Sequence, residues 1–181
     1  MTQPLKEKYK NEVIPNLIKE FEYKNIHQVP KLLKIQVNRG LGAAASNNST
    51  LQQTVEEIRM VTGQQPVITS AKKSIAGFKI REKQPLGVTV TLRGNYMFSF
   101  LERLINLVLP RIRDFSGLSP NGFDQHGNYN FGLKTQLVFP EISYESVDQP
   151  RGFNITLVTS AKTKMEGLSL LKNYGFPFKN N

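Results

Sequence analysis

Between two short runs that alternate apolar and polar residues lies a segment that no hydrophobic core can absorb, Thr69-Ser-Ala-Lys-Lys-Ser-Ile-Ala-Gly-Phe-Lys-Ile-Arg81. It carries four cations, Lys72, Lys73, Lys79 and Arg81, with three hydroxyls, Thr69, Ser70 and Ser74, and no carboxylate. Burying unpaired ions is too costly for a small fold to sustain, so the segment must lie outside as a loop. The runs at Pro66 to Thr69 and Val88 to Arg93 then become its strands, which predicts a basic hairpin loop over residues 70–83. Its composition suits a polyphosphate. The cations neutralise phosphates, Ser70 and Ser74 donate to phosphate or ribose oxygens, Gly77 permits close approach, and Phe78 offers a face for stacking on an unpaired base.

The basic character extends beyond the loop. The chain holds 24 Lys and Arg against 14 Asp and Glu, a net charge of +10. Nine cations between Lys72 and Arg113 face only Glu82 and Glu102, so this stretch supplies +7 of that +10. A stripe of this kind is the electrostatic footprint of a polyanion partner.

Several chemistries are excluded or unsupported. The chain has no cysteine, which removes disulfides, thiolate catalysis and Cys-based zinc sites. Its two histidines, His27 and His126, lie far apart and in no ligand or triad spacing. Glu56, Glu57, Asp114 and Glu141 show no pairing that calls for acid–base work and read as solvated faces and local caps. Gly40-x-Gly42-x-x-Ala45 follows a strand and precedes a helix, yet the acidic residue that would bind a ribose is missing downstream, where Pro66 to Thr69 leads into cations. A tight turn is the better reading, and no cofactor, metal or catalytic residue is expected. No apolar run is long enough to span a bilayer, so no membrane partner is expected. The N-terminal residues resemble neither a signal peptide nor a transit peptide.

The periodicities give an order of elements. Leu5, Tyr9, Val13, Leu17 and Phe21 recur at helical spacing, with Pro15 set to kink or split that helix. Lys31 to Asn38 alternates as a strand, and Arg39 to Ser46 is a Gly/Ala-rich turn. Ser49 or Thr50 is expected to cap a helix that ends at Gly63. A third helix opens at Asn95, with Phe98, Leu101, Leu104, Ile105, Val108 and Leu109 facing inward, closed by Pro110. Asp114 to Gly132 lacks periodicity and reads as a long functional loop. Phe153 to Ser160 is a strand with Phe153, Ile155, Leu157 and Thr159 on one side, and Met165 to Tyr174 a closing helix. This order predicts an α+β fold in a single domain, a mostly antiparallel sheet with helices on one face and an RRM-like core.

Whole blocks of the chain resemble a known family. Thr69 to Arg81, Val90-Thr-Leu-Arg-Gly94, Pro110-Arg-Ile-Arg-Asp-Phe-Ser-Gly117, Gly127-Asn-Tyr-Asn-Phe-Gly132, Phe139-Pro-Glu-Ile142 and Phe176-Pro-Phe178 follow, in order and over nearly the full length, the large-subunit ribosomal protein family that carries 5S rRNA, the universal family five, in its bacterial and chloroplast form. The resemblance implies a non-enzymatic constituent of the central protuberance. Its 5S rRNA-binding positions would be Asn38, Arg39, Gly40, Gln64, Phe78, Thr91 and Arg93. A loop of Ser70, Lys72, Lys73, Ser74, Gly77, Lys79 and Arg81 would reach P-site tRNA and rRNA. Arg111, Arg113, Asn128 and Tyr129 would serve further contacts with 23S-type rRNA or an intersubunit bridge, where the loop 114–132 faces a protein of the small-subunit head. Other central-protuberance proteins complete the expected partners. The turn Arg39-Gly-Leu-Gly-Ala-Ala-Ala45 departs from the Met-Gly-Val-Gly form common in bacteria but keeps both glycines. The Asn- and Lys-rich composition favours a plastid stroma over a bacterial cytoplasm. The rival readings are a free-standing RNA chaperone or mRNA-binding regulator using the same surface, and, from another class, a nucleotide-dependent enzyme built on the Gly40 turn.

Overall fold

Alternation places the strands. In β1 (Leu32–Gly40), Ile35, Val37 and Arg39 are buried while Lys34, Gln36 and Asn38 stay half-exposed. In β3 (Pro85–Leu92), Val88, Val90 and Leu92 are buried and Thr89 and Thr91 are not. β5 (Phe153–Thr159) buries Phe153, Ile155, Leu157 and Thr159, the side expected from the sequence. With β2 (Val67–Ser70) and β4 (Tyr129–Leu133) these make a five-stranded sheet in the order β2-β3-β1-β5-β4. β2 pairs antiparallel with β3, Val67 opposite Thr89 and Thr69 opposite Gly87. The computed structural model describes residues 4–144, 147 and 149–179. Their architecture is α+β with an antiparallel sheet, as the order of elements predicts.

The chain divides into two compact units, one formed by Met1–Ile35, Arg93–Phe131 and Thr156–Asn181, the other by Gln36–Leu92 and Gly132–Ile155. In the first, α1 (Pro4–Lys8) runs through a π-helical turn, Tyr9–Val13, into α2 (Ile14–Phe21), which carries Pro15 in its first turn. The wide turn just before the proline is the expected disruption, since Pro15 has no N–H to continue the ladder. α4 (Gly94–Arg103) likewise widens at Leu104–Val108. Its buried stripe is Met97, Phe100, Leu101, Leu104 and Val108, whereas Phe98 and Ile105 are half-buried. Those two were expected inside. They sit one residue round from a stripe that keeps the helical period, at its boundary. α5 (Lys164–Tyr174) closes at Gly175, whose φ of +101 suits only glycine. Tyr174 stacks on Tyr9 at 5.9 Å.

In the second unit, α3 (Asn48–Thr62) packs against β3 with Leu51, Val55, Ile58 and Val61 buried. Its cap is Asn47, whose side chain accepts the Ser49 N–H at 3.1 Å, rather than Ser49 or Thr50. Gly63 ends it with φ +71. The stretch 114–132, expected to be a loop throughout, ends in β4. Tyr129 and Leu133 point inward there, and the Asn130 and Gly132 between them hide the strand from a propensity reading.

Candidate nucleic-acid interface

The basic segment forms a hairpin with its own internal order. At the neck, Ala71 N–H donates to the Gln84 carbonyl and Lys83 N–H to the Ala71 carbonyl, both at 2.9 Å. At the tip, Ile75 and Ile80 exchange backbone bonds of 2.9 and 3.2 Å around a single 3-10 turn, Ala76–Phe78. Two side chains tie the arms. Ser74 Oγ accepts the Glu82 N–H at 2.8 Å, and Gln84 Oε1 accepts the Arg81 N–H at 3.0 Å. Ser74, expected to meet RNA, therefore also holds its own loop.

What this frame displays is charge. Ser70, Lys72, Lys73, Ser74, Gly77, Lys79, Arg81 and Lys83 are all exposed. Lys72, Lys73, Lys79, Arg81 and Lys83 make no ion pair among the described residues. Phe78 is 75% exposed and Ile75 47%, so an aromatic face stands in solvent beside cations with nothing of its own to pack on. Lys83 was not among the residues the sequence singled out for binding.

Beside the hairpin, within the same unit, the half-exposed side of β1 and β3 carries Gln36, Asn38, Thr89 and Thr91. Gln36 Nε2 donates to Thr89 Oγ1 at 3.4 Å, and Gln64 Nε2 donates to the Thr91 carbonyl at 3.2 Å. The Asn38 amide and the Thr91 hydroxyl make no side-chain hydrogen bond among the described residues. Amides and hydroxyls without carboxylates form a neutral reading surface that a phosphate backbone can approach. Gly40 is exposed, and a Cβ there would meet nothing within 4 Å.

Three expected contact residues turn out to be structural. Arg39 is 1% exposed. Its guanidinium pairs with Glu57, donates from Nε to the Gly152 carbonyl at 3.3 Å and lies 4.0 Å over the Phe153 ring. Burial lowers its affinity for the proton, and the Glu57 carboxylate opposes that loss. Glu57, read from sequence as solvated, is buried at 5% exposure. The signal was present: Arg39 continues the inward alternation of Ile35 and Val37, and Glu57 lies three residues from Thr54 and four from Val61, both buried. Tyr129 is 1% exposed, donates to the Ser119 carbonyl at 2.9 Å and packs on Phe123 at 4.5 Å. Burial pushes its phenol up to about 12. Asn128 donates to Asp124 Oδ2 at 2.7 Å and accepts the Thr159 N–H at 3.0 Å, so its amide organises the loop from within. The remaining expected positions are at the surface. Arg93, Arg111 and Arg113 are exposed, Arg113 beside Asp114 at 3.7 Å.

The chain matches the family model described as Ribosomal protein L5 over residues 25–81, and that described as the ribosomal L5P family C-terminus over residues 85–178. It is 81% identical over 181 residues to the large ribosomal subunit protein uL5c of Heterosigma akashiwo, covering 100% of both chains. Identity to uL5c of Rhodomonas salina is 59% over 181 residues, again 100% of both. Identity to the large ribosomal subunit protein uL5 of Synechocystis is 57% over 180 residues, 99% of this chain and 100% of that one. With family models matching nearly the whole chain and relatives of high identity over its full length, the chain belongs to the L5 family of large-subunit ribosomal proteins, in its plastid and bacterial form.

Proposed function

We propose that this constituent of the large ribosomal subunit binds 5S rRNA and adjacent 23S-type rRNA in the central protuberance, with its hairpin directed at P-site tRNA. The observation that carries the proposal is the hairpin of residues 70–83, which presents five cations without ion pairs among the described residues around a Phe78 that is 75% exposed. Apolar surface of that size beside free cations fits a base stacked in a phosphate-rich setting. The sheet face of Asn38, Gln64 and Thr91, with Gly40, serves 5S rRNA in the manner of an RRM, and Arg93 is a further 5S rRNA contact. Ser70, Lys72, Lys73, Ser74, Gly77, Lys79 and Arg81 serve tRNA and rRNA. Arg39 supports this face from inside instead of touching RNA.

The exposed part of the loop 114–132, with Arg111 and Arg113, faces the small-subunit head protein and neighbouring central-protuberance proteins. Asn128 and Tyr129 shape that loop from within. The work is carried out in the plastid, since relatives of high identity bear the name uL5c. Replacing Asn38 or Phe78 by Ala is expected to weaken 5S rRNA binding by about 1–3 kcal/mol each. Filter binding with a 5S rRNA transcript measures this, and unchanged affinity in both variants removes both residues from the site.

A further inference from the structure

Two of the hairpin's cations occupy backbone positions at which lysine is the strained choice. Lys79 has φ +54 and Lys83 φ +65, in the left-handed region where an L side chain crowds its own backbone and glycine or asparagine is relaxed. Neither conformation is incidental. The Lys79 N–H closes the tip on the Ala76 carbonyl at 3.0 Å, and the Lys83 N–H closes the neck on Ala71 at 2.9 Å. The loop does contain a glycine, Gly77, but with ordinary φ and with nothing within 4 Å of where its Cβ would be. Glycine thus stands where the backbone does not need it, and lysine stands where it does. Ion pairing does not explain this, because both lysines are exposed and unpaired among the described residues. Strain kept at an exposed cation marks a side chain retained for what it contacts.

We infer that Lys83 is a phosphate-contact residue at the hairpin neck, paired in role with Lys79 at the tip, and that the left-handed backbone fixes the direction in which each ammonium leaves the loop. The ligand is an RNA backbone whose phosphates meet neck and tip together. This rests on the RNA reading of the hairpin given above. A compact ammonium, without the fork geometry of arginine, suits a single phosphate oxygen approached from a fixed direction.

The test compares Lys83→Gly, Lys83→Ala and Lys83→Arg in the full chain, alongside a fourfold Lys72, Lys73, Lys79 and Arg81 to Gln variant. Two quantities are measured: the melting temperature, and the salt dependence of binding to a 5S rRNA transcript and to a tRNA transcript. Lys83→Gly is expected to melt no lower than the parent chain and above Lys83→Ala. Both should lose about 0.7–0.9 from the log–log salt slope on one transcript, the amount expected for one released phosphate contact. Lys83→Arg should keep the slope. A slope unchanged in Lys83→Gly while the fourfold variant flattens it overturns the inference and leaves the RNA reading standing. If neither variant alters the slope, both fall. Lys83→Gly melting with or below Lys83→Ala overturns the backbone half of the argument.

Discussion

A single buried guanidinium decides what the end of β1 can be. Arg39 has its charge answered by Glu57, its Nε by the Gly152 carbonyl and its plane by the Phe153 ring. Removing one partner leaves the other ion buried alone, which typically costs about 3–5 kcal/mol. Arg39→Met and Glu57→Gln are each expected to lower the unfolding free energy by that amount in denaturant titrations, and the double Arg39→Met, Glu57→Met variant to lose less than the sum of the singles. Singles costing under about 1 kcal/mol, the range of a surface pair, would show the pair to be dispensable. The sequence carried half of this. Alternation through Ile35 and Val37 points Arg39 inward, but the strand read from the sequence stopped at Asn38, and the family resemblance made Arg39 a contact for RNA. Its acid lies on another element, eighteen residues away, and only the fold brings the two within reach.

At the level of elements, legibility followed periodicity. β3 and β5 alternate cleanly because one face is buried and the other half-exposed, so their sides are legible in the sequence. β1 alternates only from Ile35 on, since Leu33, which the sequence places on the inward side with Ile35 and Val37, is 40% exposed while Leu32 is buried. β4 could not, because Asn130 and Gly132 are poor strand formers and its identity depends on neighbours rather than on its own residues. The hairpin was legible as a loop from its charge, though not its bracing, since Ser74 and Gln84 act on backbone groups across the loop.

The residues leading into β4, Asp124 to Asn130, read from the sequence as a turn-rich tip, and in the structure Asp124 is its organiser. Burial would raise its pKa, but bonds from the Asn128 side chain and from the Asn128 and His126 amides win, holding it below 3.8. The Asp124 carboxylate therefore lends its stability fully above the unfolded value and loses it as pH falls through the lower folded value. The amide proton shifts of His126 and Asn128 should titrate together with a midpoint below 3.8, and the transition should vanish in Asp124→Asn. A midpoint at or above that value contradicts the assignment.

Across the whole molecule, apolar burial and charge display are assigned to different residues. Ile35, Ile58, Leu92, Leu101, Leu104, Ile155 and Leu157 are 0% exposed, while the hairpin cations stay in solvent. A net charge of +10 works against compaction through self-repulsion and favours association with a polyanion. The family assignment rests on matches spread along the chain, and the finer roles rest on the displayed surface. The most direct measurement is the affinity of the purified full chain for a 5S rRNA transcript over a series of salt concentrations. The account predicts binding that falls linearly on a log–log plot with a slope of several phosphate contacts, about 0.7–0.9 per contact, and a shallower slope when Lys72, Lys73, Lys79 and Arg81 are all neutralised. No binding at low ionic strength, or a slope indifferent to those four side chains, would contradict it.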